Sequence, residues 1–459
     1  MATLIDERLL RFVLPALAAA LIAPLPQVAV AQERASESSW RDEPSGGGAA
    51  AQIRREIANH AGKDLRAFYA ARDNAPLWLD EFDRPSGAAT LLWLRMRTAD
   101  RDGIDPEQLD LDKLTKLLDR AREGGADDAA RAELALSSTF AAYVTAMRGA
   151  RHADMLYESP TLGPSAPGTR AALEAAAAAP SLETYVDAMG WMSPFYAPLR
   201  KALDDPRYTA GQKQLIAANL ERVRAIPAIP TGKHILVDAA SARLWMYDGD
   251  QVVDSMKVVV GNRALGETPM MAGWIRWAIE NPYWEVPNDI TKNEIAPHVV
   301  KSGVSYLKAH GYQVLADWSG DSAVIDPNTV DWQAVRDGQR QVHVRQLPGG
   351  ENFMGKVKFE FPNPKGIYLH DTPAKQLMKE DARQLSHGCI RMEDAAKMHR
   401  WLMGEPIPTD AAPEEKVPLA KPVPIYVTYL TAVPAGAGEI VFHDDPYGRD
   451  GDVRLATAD

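Results

Sequence analysis

The apolar positions of this chain change period once. From about residue 52 to 225 they recur every three or four residues. Leu136, Phe140, Tyr143, Val144 and Met147 share one helix face, and "LDLDKLTKLLDRARE" repeats the spacing. "RAALEAAAAAPSLETYVDAM" is rich in strong helix formers. These stripes read as the core contacts of a helical domain and carry no chemistry. In "VRAIPAIPTGKH" two Ile-Pro pairs and a glycine deny the helix a continuation. Beyond it the period falls to two: "HILVDAA", "RLWMYDG", "QVVDSMKVVVG", "WIRWAIE", "VHVRQLPG", "KVKFEF", "GIYLHDT" and "PIYVTYLTAV" read as strands. "NDITKNEIAPHVVKSG" and "NTVDWQAVRDG" interrupt them with helical patterns.

The expected fold is therefore multidomain α+β. A helical scaffold domain spans 52–225, and a mainly β domain spans 226–434 with an inserted helical lid at about 286–342. A C-terminal strand and tail fill 435–459. Ahead of these, Arg8 and Arg11 lead into "FVLPALAAALIAPLPQVAVAQ", with Ala29-Val30-Ala31 as a small-x-small cleavage site. Pro15, Pro24 and Pro26 suit a cleaved signal peptide (1–31) better than a membrane span, while Asp6 and Glu7 leave a retained anchor as the alternative. Residues 32–51 are polar and Gly/Ser-rich, the pattern of a flexible linker. No later segment has eighteen uninterrupted apolar residues, so no stable membrane span is expected after signal cleavage. The net charge of -11 argues against nucleic acid and anionic membrane surfaces as partners.

Cys389 is the single cysteine among 459 residues, so it cannot form an internal disulfide. In extended "IYLHD", Tyr368 and His370 share one face, with Ile367 and Leu369 on the other. "MEDAAKMHRWLMG" has helical composition, which places Cys389 just before a helix whose dipole would favour a thiolate. His370 and His387 are candidate bases for that thiol, and Gly388 and Cys389 can offer backbone N–H groups to an oxyanion. Together these parts suffice for acyl transfer through a thioester. A zinc site would need three or four ligands, and no HExxH or CxxC spacing supplies them.

"YLHDTP" followed by "SHGCIRM" resembles the signature of the L,D-transpeptidase (YkuD) catalytic domain. "NLERVRAIP", "VVVGNRALGETPMMAG", "NPYWEVPNDI" and "GKVKFEFPNPKGIYLHDTP" further resemble the large YcbB-type branch of Gram-negative bacteria. The resemblance runs in order from about 215 to 432 and implies a YkuD-like catalytic domain behind a helical scaffold. It implies Cys389 as nucleophile, His370 as general base and acid, and the backbone carbonyl of Asp371 orienting the imidazole. His387 and Gly388 would form the oxyanion site. Tyr368, Ser386 and Arg391 would bind substrate, although Tyr368 could equally be core and Arg391 could equally hold a structural salt bridge. The insertion resembles a substrate-capping subdomain.

Two departures stand out. The small peptidoglycan-binding module that the branch often carries is not recognisable, and Asp371 stands where many relatives have Ser or Gly. The resemblance implies a periplasmic enzyme joining peptidoglycan stem peptides, with no metal or other cofactor. Carbapenem-type β-lactams would be its covalent inhibitors. Hydrolysis at the same site, as an L,D-carboxypeptidase or endopeptidase, and a non-catalytic wall-binding scaffold are the competing readings.

Overall fold

The computed structural model describes residues 47–149, 154–228 and 232–451. The expected signal peptide and residues 32–46 of the expected linker lie outside them. Residues 47–51, read from composition as linker, instead open a helix, Gly47–His60. Ile53 and Ile57, one turn apart, are both buried and pull this alanine-rich segment onto the scaffold core.

The scaffold is helical from there to Arg224. Its longest helix, Ala126–Arg148, buries the stripe of Leu136, Phe140, Tyr143, Val144 and Met147. Glu133 on the same helix is fully buried, where it accepts the backbone N–H groups of Leu77 (2.6 Å) and Trp78 (2.9 Å) and so pins an irregular loop. Buried Asp102 accepts from Tyr143, Tyr196 and Arg200. Arg224 donates to the carbonyls of Asp102 and Met147 from the end of helix Ala210–Arg224, whose start is closed by a Thr209/Gln212 capping box. Among the described residues no helix is long and apolar enough to cross a membrane.

The strands run in chain order as follows. β1 (Leu156–Tyr157) belongs to the scaffold half, and β2 (Lys233–Asp238), β3 (Arg243–Asp248), β4 (Gln251–Gly261) and β5 (Met271–Glu280) open the second half. β6 (Trp284–Val286), β7 (Tyr312–Leu315), β8 (Val324–Ile325) and β9 (His343–Gln346) lie in the insertion. β10 (Val357–Glu360), β11 (Tyr368–His370), β12 (Gln384–Ser386) and β13 (Ile390–Met392) follow, and then β14 (Glu415–Thr428), β15 (Ala432–Pro434) and β16 (Ile440–Phe442). The main sheet has the order β1-β5-β10-β11-β13-β4-β3-β2-β14, and β14 pairs β5 as well as β2. The pairing path therefore closes on itself like a barrel, which leaves few free edges. β1 joins the scaffold side to this sheet: it pairs parallel with β5, and its Tyr157 hydroxyl donates to the Ala225 carbonyl (2.7 Å).

The insertion differs from the helical lid expected. It has its own four-stranded sheet, ordered β6-β9-β7-β8, and its own core running from Trp284 to Met354. The "VHVRQLPG" strand pairs with β6 and β7 instead of the main sheet. Strands of two to four residues are too short for alternation to declare them. Its helices run from Asn288 to Ser302, through a π-helical turn at Thr291–Ile295, and then over Ser305–Ala309 and Trp332–Arg336. Trp284 and Trp332 are buried in the lid core, while Trp318 stacks on His343.

Candidate active site

Three neighbouring strands lay out the site. β11 pairs antiparallel with β10, setting Lys358 opposite His370 and Glu360 opposite Tyr368. It pairs parallel with β13, setting Leu369 opposite Ile390 and His370 opposite Arg391. Phe359, Leu369 and Ile390 are all fully buried, so that side of the sheet is core. The alternate positions, Glu360, Lys358, Tyr368, His370 and Arg391, form the other side. Continuing the β11–β13 register back by one residue brings Cys389 onto this side opposite Tyr368. The thiol residue is half-buried and its Sγ approaches the Gly366 carbonyl (3.7 Å). His370 is buried, one position along the same side, with the Tyr368 ring edge-on to it at 5.8 Å. Tyr368 also packs against the lid core, so this ring is where lid and sheet meet.

Cys389 ends a tightly held turn. Gly388 has φ +114°, a left-handed conformation, and a Cβ there would lie 2.9 Å from Ile367 Cδ1. Ser386 Oγ donates to the Cys389 carbonyl (2.6 Å) and accepts the Gly388 N–H (3.1 Å). From the facing loop, the Thr268 hydroxyl donates to the Gly388 carbonyl (2.7 Å) and accepts the Gly261 N–H (2.8 Å). The Tyr447 hydroxyl in turn donates to the Gly261 carbonyl and accepts the Thr268 N–H. Arg449 pairs with Glu267, and Arg222 of the scaffold holds the Arg449 carbonyl (2.9 Å) and Asp450 (2.8 Å). Hydrogen bonds and the short backbone stretches between them thus join a scaffold helix to the thiol turn.

Burial pushes the Cys389 thiol above its ordinary value; hydrogen bonds from the Tyr368 backbone and hydroxyl, and the charge of Arg391, pull it part of the way back. Burial also lowers His370, to about 3, aided by Arg391; the Asp371 backbone opposes it. The resting pair is therefore neutral thiol and neutral imidazole. Arg391 is itself lowered by burial and raised by Cys389 and by Glu294 of the lid, and its guanidinium has no ion pair among the described residues.

One expectation needs correction, and the remaining site residues fall as follows. Cys389 precedes strand β13, and the helix Ala395–Met403 starts six residues on, so no helix dipole acts on the thiol. Ser386 is buried, with its hydroxyl committed to the turn. The Gly388 N–H is already taken by Ser386, whereas the Cys389 N–H has no partner among the described residues. His370 Nδ1 is buried, and the Asp371 backbone carbonyl is the acceptor beside it that favours the charged ring against its burial. The Asp371 carboxylate accepts instead from Lys375 (2.7 Å) and from the Lys356 N–H (3.0 Å). His387 lies half-buried at the rim, its Nε2 4.0 Å from Asp289 of the lid.

Residues 232–425 match the family model described as the L,D-transpeptidase catalytic domain, YkuD, and residues 63–203 match the model described as a scaffold domain. The chain carries an L,D-transpeptidase catalytic domain. A curated Haemophilus influenzae protein, whose name assigns it provisionally to the L,D-transpeptidases, is 32% identical over 252 residues. That match covers 53% of this chain and 49% of the relative, so the chain spans about half the length of the curated relative it matches. Among solved structures, an L,D-transpeptidase from Mycobacterium smegmatis is 13% identical, covering 44% of this chain and 63% of its own, with a TM-score of 0.22. The Ldtfm–avibactam carbamoyl enzyme is 14% identical, with coverage of 44% and 51% and a TM-score of 0.22.

Around the thiol turn and on its sheet face, sequence reasoning missed Thr268, Tyr447, Lys358 and Glu360. Thr268 and Gly388 are 120 residues apart in the chain, and no local pattern signals their contact. The alternation in "KVKFEF" does place Lys358 and Glu360 on one face. What was absent was the register that puts that face beside His370.

Proposed function

We propose that this protein is a peptidoglycan L,D-transpeptidase, exported by its N-terminal signal to the periplasm, that works through a Cys389 thioester. The observation that carries this reading is the shared sheet face. A half-buried thiol, a buried imidazole and a tyrosine converge there, with a guanidinium that has no ion pair and a Cys389 N–H that has no partner among the described residues.

In this reading His370 takes the Cys389 proton as Sγ attacks the carbonyl of an L-centre in a donor stem. The Cys389 N–H receives the developing oxyanion. Collapse breaks the C–N bond, and the departing D-residue's amine leaves with the proton from His370. An amine of a second stem then attacks the thioester and gives its proton to His370, which returns it to the leaving sulfur. A substrate carboxylate on Arg391 would assist by cancelling the charge that depresses His370. The lid, meeting the sheet at Tyr368, would keep water from the thioester. Carbapenem-type β-lactams would acylate the same sulfur.

The test is incubation with disaccharide-tetrapeptide, followed by mass spectrometry of products and intact protein. Cross-linked dimers and a Cys389 adduct absent from Cys389→Ala are expected. Tripeptide without dimer would indicate hydrolysis instead. An undiminished adduct in the variant would remove Cys389 from the chemistry.

A further inference from the structure

The lid holds a cavity of about 260 Å³ for which the thioester chemistry has no use. It lies between the helix that begins at Asn288 and the turn that follows helix Trp332–Arg336. Asn288, Thr291, Lys292, Arg340 and Gln341 supply much of its polar wall. Two of these residues keep a buried oxygen without a hydrogen-bond partner, Asn288 Oδ1 and Thr291 Oγ1, and Thr291 is 1% exposed. A helical threonine commonly turns its hydroxyl back to the carbonyl four residues earlier. Here that carbonyl, on Pro287, accepts the Thr291 N–H (2.9 Å), and the hydroxyl makes no bond to it. Burying such oxygens unpaired costs stability, which a ligand that pairs them would recover. Two cations border the same cavity: Lys292 and Arg340 are exposed, and neither has an ion pair among the described residues. Lys292 Nζ is folded over Gly338, where φ is +75° and a Cβ would lie 2.9 Å from it. Asp289, the carboxylate on the wall, lies 4.0 Å from His387 Nε2 at the rim of the thiol turn.

We propose that this cavity seats the C-terminal residue of a peptide. Its carboxylate would lie between Lys292 and Arg340 and accept from the Thr291 hydroxyl, and its amide N–H would donate to Asn288 Oδ1. The peptide is the second stem, whose amine resolves the thioester, so the assignment rests on the thioester reading above. A metal ion or an ammonium would meet two positive charges. An inorganic anion would match those charges but leave the Asn288 oxygen, which only accepts, without a donor. A carboxylate one carbon from an N–H satisfies both demands. The volume is below the roughly 300–1,000 Å³ of pockets for drug-sized ligands and suits a single residue. Distance separates this peptide from the donor. His387 is two residues from Cys389, at most about 7 Å along the chain, and Asp289 lies another 4.0 Å on, so the cavity begins about 10 Å from the thiol. The residue that leaves a donor has its carboxylate within about 4 Å of the broken bond and does not reach so far. An acceptor whose amine is about 7 Å, or two residues, from its own C-terminus brings that amine within about 3 Å of the acyl carbon.

The experiment starts from acyl-enzyme preformed on the full chain and titrates two acceptors of one sequence, one ending in a free carboxylate and one in a carboxamide. The free acid should have a KM about tenfold lower, the value of one charge-assisted contact. Lys292→Ala combined with Arg340→Ala, both at exposed positions, should raise the acid's KM about tenfold to meet that of the amide, whose own KM holds steady. Thr291→Val removes a buried hydroxyl that has no partner, so its melting temperature should hold or rise while its KM for the acid rises about threefold. Equal KM values for acid and amide in the wild type, an equal loss on both acceptors in the double variant, or an unchanged KM in Thr291→Val overturns the proposal. A wild-type protein that forms no acyl-enzyme overturns the thioester reading itself.

Discussion

His370 and Arg391 stand opposite each other across the parallel β11–β13 pair, a buried imidazole facing a guanidinium without an ion pair among the described residues. The imidazole is low first because it is buried and second because of this charge. Replacing Arg391 with Met should raise the His370 pKa by about one unit, leaving the burial part in place. Titration of the ring protons by NMR checks this. A carboxylate-bearing donor analogue should produce a similar rise in the wild type and none in the variant.

The same depression links folding to acidity. The unfolded imidazole takes a proton near pH 6.5, while the folded one resists until about 3, so the unfolded chain binds more protons between those limits. Stability is then greatest above pH 6.5 and is lost as the pH falls towards 3. Between pH 6.5 and 5 this single group should cost about 2 kcal/mol, a loss that His370→Gln removes. Denaturant titrations of both proteins at the two pH values measure it.

The thiol should behave as an ordinary neutral sulfhydryl when no substrate is bound. Its pKa is raised by burial and only partly restored by Tyr368 and Arg391, so alkylation by iodoacetamide should accelerate with pH through and beyond 9. It should show no reactive plateau at acid pH. Tyr368→Phe removes a donor to the sulfur and should slow labelling at pH 8 about threefold.

Thr268 tests the held turn. Thr268→Val leaves the Gly388 carbonyl and the Gly261 N–H, both tied to that hydroxyl, without it. A stability loss of about 1–3 kcal/mol is expected in thermal or denaturant unfolding. Acyl-enzyme formation should fall by more than alkylation of Cys389 does, because alkylation needs the sulfur alone while acylation needs the Cys389 N–H correctly placed.

What could be read from the linear chain was what has a short period. Tyr368 and His370 belong to one face because they are two residues apart, and the helical stripe of Leu136 to Met147 is buried as its spacing requires. Cys389 was set before a helix because "MEDAAKMHRWLMG" is helical in composition, yet the three residues of β13 intervene and are too few to announce themselves. Arg391's place beside the imidazole, and Glu360's place beyond Tyr368, depend on pairing between separate strands. Pairing register is a property of the assembled sheet, fixed by which faces bury together, and no window along the chain contains it. The lid's small sheet was hidden for the same reason.

The bonds running from Arg222 through Arg449, Tyr447 and Thr268 to Gly388 give the last described residues a duty that their position would not suggest. A tag or deletion placed just before Tyr447 would unfasten the nucleophile's loop while sparing every residue that performs chemistry. A loss of turnover on such trimming would therefore be a mechanical failure, and the surviving thiol would still react with small electrophiles.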